Sequence, residues 1–79
     1  MIKFQVKLLD PCQVAEAVHQ AFSIHLGDKH VASGVNVELN GQRFIRIFDY
    51  DVPLKAQLDE YFSSRKRVNE VSFSRPYSG

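Results

Sequence analysis

The chain has little of what marks the commonest classes of secreted and membrane protein. Cys12 is its single cysteine, so no internal disulfide can form. No charged segment followed by an apolar stretch comes after Met1, which argues against secretion and favours a cytoplasmic protein. No apolar run approaches the roughly 20 residues needed to cross a bilayer, so we expect no membrane partner.

Neither sign of charge dominates. The 79 residues include 10 Lys and Arg against 9 Asp and Glu, which argues against most sequence-independent nucleic-acid binders and equally against an acidic mimic of nucleic acid. A glycine-rich phosphate loop is also missing, because Gly34 and Gly41 stand alone. A chain this short fits one domain, residues 1–79, and buries only about 60% of its unfolded surface, so a partner would stabilise it.

The strongest signal that is present is Asn40-Gly41, which stands between two apolar-alternating runs at residues 35–39 and 43–48. Asn-Gly supplies the positive φ angles of a type I′ turn, which is the commonest two-residue hairpin connection. The sequence therefore predicts a β-hairpin across these two runs.

The length of that turn decides which side chains share a face of the sheet. In a two-residue turn Glu38 lies opposite Arg43, and opposed residues point to the same side. We then place Phe44 and Phe48 in the core. The predicted exposed side of the sheet then carries Asn36, Glu38, Arg43, Ile45 and Ile47.

A three-residue loop with a bulge would reverse this assignment. It would bury Ile45 and Ile47 and expose Phe44, Arg46 and Phe48. We favour the two-residue turn, because Asn-Gly is the strongest short hairpin signal and this register sets opposite charges across from each other.

The rest of the chain predicts two strands and two helices. Residues 2–8 alternate as a strand, and Asp10-Pro11 opens a helix that Gly27 ends. A second helix spans residues 53–65 and a last strand residues 68–74, before a frayed tail at 75–79. The apolar stripes of the helices are Val14, Val18, Ala21 and Phe22 in the first and Leu54, Leu58, Tyr61 and Phe62 in the second.

The order β-α-β-β-α-β over residues 2–74 resembles the ferredoxin-like arrangement. This resemblance implies a four-stranded antiparallel sheet with two helices on one face, the closure favoured by right-handed crossovers. Many unrelated functions use that architecture, so it names no activity.

By elimination, the sequence favours a non-enzymatic α+β domain that docks onto another protein or protein complex, with a homodimer also possible. Such a protein would be a small accessory, regulator or inhibitor of the kind that phages and mobile elements often encode. We expect no catalytic set, cofactor or metal. The predicted docking residues are Lys3, Lys7, Asn36, Glu38, Arg43, Ile45, Ile47, Arg65, Lys66 and Arg67.

The second interpretation is binding of single-stranded RNA or DNA. RNA-recognition domains share this element order and stack bases on aromatics of the third strand. Here Arg43 and Phe44 are adjacent, without the glycine that the family's motif places between a basic residue and an aromatic one. The resemblance therefore ranks below protein docking.

A third interpretation is a small metal-binding regulator or enzyme subunit. It depends on Cys12, His25 and His30, whose spacing lacks the paired cysteines or the i, i+4 histidines of a specific zinc site. Asp49 and Asp51 could serve acid/base chemistry or a cation, although such residues more often cap the following helix.

Overall fold

A computed structural model describes residues 3–74 as one sheet and a short helical segment. The helical segment consists of a 3₁₀ turn, Val52–Leu54, followed by the helix α1, Lys55–Ser63. The strands are β1 Gln5–Leu8, β2 Cys12–Val14, β3 Ala17–Leu26, β4 Lys29–Leu39, β5 Gln42–Tyr50 and β6 Val68–Phe73. The predicted strand start at Ile2 and the predicted tail at 75–79 lie outside the described residues.

The six strands form a single mixed sheet in the order β1-β3-β4-β5-β6, with β2 also paired to β3. All pairs are antiparallel except β5 with β6, which are parallel and joined through α1. The ferredoxin-like prediction, with four antiparallel strands and two helices, is therefore wrong. Of the predicted order, the first strand, the central hairpin and the C-terminal β-α-β unit are present, with α1 and β6 close to their predicted bounds.

The predicted first helix is replaced by β2 and β3. A spacing of four residues, as from Val14 to Val18 to Phe22, fits one face of a helix and equally one face of a strand. In β3 the period of two continues through Ile24, which is fully buried, so the strand accounts for more of the pattern. The helical period predicted for this segment is therefore wrong.

Gly27 and Pro11, which are predicted to bound a helix, lie next to strands instead. Gly27 has φ +60° and begins the turn that joins β3 to β4. The residue that ends a helix often has the same positive φ, so Gly27 fits either structure. Pro11 lies between β1 and β2, where its missing N–H interrupts an edge strand at little cost. The backbone N–H of Leu9 still donates to the carbonyl of Ala21 at 2.9 Å.

The Asn40-Gly41 hairpin is confirmed. Asn40 has φ +54° and Gly41 φ +77°, as a type I′ turn requires. The register is also the predicted one, with Leu39 opposite Gln42, Glu38 opposite Arg43, Val37 opposite Phe44 and Asn36 opposite Ile45.

Replacing Gly41 by valine should lower the free energy of unfolding by more than about 1 kcal/mol, because a β-branched residue resists positive φ. Gln42→Val is the matched control, since Gln42 is exposed in an extended strand. Chemical denaturation of the two variants checks this. Equal stability of Gly41→Val and the wild type would contradict the turn.

The helix α1 covers one face of the sheet and thereby defines the core. Ile45 and Ile47 lie on this face, 5% and 0% exposed, whereas Phe48 is 46% exposed on the other side. The predicted burial of Phe44 and Phe48 and the predicted exposure of the two isoleucines are therefore wrong, although the register is right. The core within residues 3–74 consists of Phe22, Ile24, Val31, Ala32, Ile45, Ile47, Tyr50, Leu58 and Phe62.

A glycine in β4 leaves room for an aromatic ring of the core. Gly34 faces Phe22 across β3 and β4, and the Phe22 ring packs on Phe62 of α1 with centroids 5.3 Å apart. A Cβ atom built on Gly34 would lie 2.6 Å from the Phe22 ring. A side chain at position 34 would therefore displace the ring that contacts α1.

Candidate protein-docking face

The face of the sheet opposite α1 carries an apolar centre. Its side chains alternate with the core residues along each strand, and paired residues share a face. Among residues 3–74 the only helical elements are the 3₁₀ turn and α1, and neither packs on this side. We call the central residues the open face: Val35 and Val37 of β4, Phe44, Arg46 and Phe48 of β5, and Glu70 and Ser72 of β6.

The strand register sets two rows across the open face. In one row Val37 lies beside Phe44, which in turn lies beside Glu70. In the next row Val35 lies beside Arg46, which lies beside Ser72. Each row therefore runs from an apolar residue on β4 to a polar residue on β6.

Phe48 continues the alternation of Phe44 and Arg46 on this face. Ser33 pairs with Asp49 and Gly34 with Ile47, so Phe48 is also the extra residue of a bulge in β5. Its side chain is 46% exposed.

Two shallow depressions flank the Arg46 side chain. One, of about 350 Å³, is lined by Val37, Phe44 and Glu70 together with Arg46 and Ser72. The other, of about 460 Å³, lies towards Val35 and Phe48 and shares Arg46 and Ser72 with the first. Arg46 therefore stands as a ridge between two hollows.

Arg46 and Glu70 border the same hollow without pairing. Within residues 3–74 the only ion pair joins Lys29 Nζ to Asp51 Oδ2 at 3.3 Å. The exposed guanidinium of Arg46 and the exposed carboxylate of Glu70 thus face solvent side by side, and both remain available to a partner.

The predicted docking residues do not form one surface. Lys7 pairs with Ser23 and lies on the side of the open face, while Lys3 is exposed ahead of β1. The half-buried Asn36 and Glu38 and the exposed Arg43 lie on the α1 side of the sheet, in register with Ile45. Ile45 and Ile47 are core residues and cannot dock onto anything in the folded protein.

Four basic residues meet at the hairpin end of the sheet. The backbone N–H of Arg43 donates to the carbonyl of Arg67 at 2.8 Å, which joins the hairpin to the connection between α1 and β6. Arg65 lies over the ring of Tyr61, 4.2 Å from its centroid, and Lys66 is exposed. The structure brings these four residues together at an edge, away from the apolar centre.

The residues of the metal interpretation are separated. Cys12 is exposed and pairs with His19 across β2 and β3, whereas His25 pairs with His30 at the other end of β3. The two imidazole rings are 5.4 Å apart, and the Ser23 hydroxyl lies 3.1 Å from Nε2 of His25. Residues 3–74 contain no group of three potential metal ligands.

The two aspartates at the end of β5, Asp49 and Asp51, have different partners. Asp51 precedes the 3₁₀ turn but makes no side-chain capping bond, and it pairs with Lys29 instead. Asp49 pairs with Ser33 across the sheet. Of the two carboxylates, that of Asp51 alone forms an ion pair within residues 3–74.

The open face as one surface was not predicted from the sequence, although three of its residues were named as an alternative. Phe44, Arg46 and Phe48 are predicted to be exposed only under a bulged turn, whereas with the ordinary turn Arg46 and Phe48 are exposed and Phe44 is half-buried. Their alternation with isoleucine along β5 was visible, but the choice of side depended on where the helix packs.

Comparison with known proteins adds no relative. The chain matches no family model, no curated protein and no solved structure. None of the helices within residues 3–74 has the length and apolar character needed to cross a membrane.

Proposed function

We propose that this protein is a non-enzymatic cytoplasmic binding domain that docks onto another protein through the open face. The observation that carries the proposal is an apolar centre, Val35, Val37, Phe44 and Phe48, that no element within residues 3–74 covers. Contiguous apolar patches on small proteins mark interaction sites.

The composition of the face supports a protein partner. Interfaces are enriched in aromatic residues and arginine, and a polar rim surrounds their apolar centre. Here Phe44, Phe48 and Arg46 lie centrally, while Glu70 and Ser72 border them on β6. The hollows beside Arg46 would accept side chains of a partner.

Replacing Phe48 by aspartate should abolish capture of a partner while the fold is retained, because an unpaired charge in an interface is costly. Val52→Asp is the matched control, since Val52 is 55% exposed in the 3₁₀ turn, away from the open face. Immobilised wild type and both variants would be incubated with extract of the native host, and circular dichroism would report folding. Unchanged capture by folded Phe48→Asp would contradict the proposal.

Binding of single-stranded nucleic acid is the second candidate. Phe44, Arg46 and Phe48 alternate on one exposed strand face, which is the arrangement that stacks bases in many single-strand binders. Glu70 on the same face would repel phosphate, so this candidate ranks second. Fluorescence anisotropy with a labelled oligonucleotide separates the two: a nucleic-acid binder loses affinity steeply with salt, and Phe48→Asp weakens it further.

A further inference from the structure

We propose that the partner of the open face is a second copy of this chain, related by a twofold axis that lies between the two open faces, parallel to the sheets. The inference rests on the proposed function and names its partner. In this dimer Arg46 of each copy enters the hollow beside Phe44 of the other and pairs with Glu70 there.

The charges of the open face favour a twofold copy. Arg46 is a full charge within an apolar centre, and burying it against an apolar partner would leave it unpaired. Glu70 lies on the next strand, one row away, and has no ion-pair partner within residues 3–74. A surface that carries one exposed cation beside one exposed anion is self-complementary under twofold rotation.

The shape of the face agrees with this arrangement. Arg46 is a ridge between two hollows, and the hollow of about 350 Å³ has Glu70 on its rim. A ridge beside a hollow is what an isologous interface needs, because each copy must supply both. The reciprocal insertion repeats the same contact twice.

The area of the open face limits the stability of this dimer. Its three strands, about 4.8 Å apart and each contributing about 20 Å of length, present roughly 300 Å² per copy. Two copies would bury roughly 600 Å², which is below the range of stable specific interfaces. A weak, concentration-dependent dimer is therefore expected.

Charge reversal tests the pairing. The full chain would be studied by sedimentation velocity over a concentration series, with circular dichroism for folding. Arg46→Glu alone, or Glu70→Arg alone, should raise the dissociation constant of the dimer by about 100-fold or more, because each places like charges together twice. Lys66→Glu, the same charge change on the exposed connection before β6, should leave it unchanged.

Mixing gives the decisive result. A mixture of Arg46→Glu and Glu70→Arg chains should form a heterodimer, because both contacts then join opposite charges. The double variant with both changes should again form a homodimer. Neither recovery occurs if the single variants are merely misfolded.

Three outcomes would overturn the dimer. A wild type that stays monomeric throughout the concentration series excludes the dimer. If Phe48→Asp then still abolishes capture of a different protein, the proposed function stands without the dimer. Dimers that persist in both single variants, or that fail to recover on mixing, place the contact elsewhere. Salt-sensitive binding of the oligonucleotide by a monomeric wild type would assign the face to nucleic acid.

Discussion

Replacing Gly34 by valine is expected to prevent stable folding. A Cβ atom at this position would contact the carbonyl oxygen of Arg46 and the ring of Phe22, the latter at 2.6 Å. Overpacking typically costs about 1–3 kcal/mol, and the backbone contact with Arg46 places this case at the upper end or beyond. A domain of this size has only about 4–12 kcal/mol of stability in total.

Urea denaturation followed by circular dichroism would measure the loss. Ala21→Val is a suitable control, because it adds a β-branched side chain in the same part of the sheet but on the side that α1 does not cover. In a Phe22→Leu background, Gly34→Ala should cost less than in the wild type, since one of the two contacts is relieved. Native stability of Gly34→Val would show that β3, β4 and β5 do not pack as described.

Ile47→Ala and Phe48→Ala should differ sharply although the residues are neighbours. Ile47 is fully buried beneath α1, so its truncation should cost about 2–5 kcal/mol through lost burial and a residual cavity. Phe48 is 46% exposed, and its truncation should cost less than about 1 kcal/mol. The comparison decides directly which side of β5 faces the core.

Thermal and chemical unfolding of both variants at equal concentration would check this. If the order were reversed, with folded Ile47→Ala and unfolded Phe48→Ala, the helix would lie on the other side of the sheet. The open face and the dimer proposed from it would then be wrong together. Equal and small effects would show that β5 is less buried than described.

The C-terminal half of the fold followed from local chemistry. Asn40-Gly41 predicted both the hairpin and its register, because few residues adopt two successive positive φ angles. The helix predicted over residues 53–65 is also confirmed as α1, and Leu58 and Phe62 of its predicted apolar stripe are both buried. These features depend on neighbours in the chain, which a sequence displays.

The N-terminal half of the fold was not predicted correctly, because its sequence signals fit both a helix and a strand. Val14, Val18 and Phe22 are spaced for a helix or a strand, and the positive φ of Gly27 suits a helix end or a hairpin turn. Pairing with β4 over most of its length makes β3 a strand. The turn between them, Gly27-Asp28, is a two-residue hairpin signal that the helix prediction read as a helix end.

The sequence by itself therefore determined the turn, the register of β4 with β5, and the two alternating sets of side chains on β5. Only the tertiary structure decided which set is the core. Ile45 and Ile47 form one set, and Phe44 and Phe48 with Arg46 between them form the other, so both sets carry two large apolar side chains that could be buried. The choice was made by the side on which α1 crosses from β5 to β6, because burial requires a covering element and only α1 supplies one within residues 3–74.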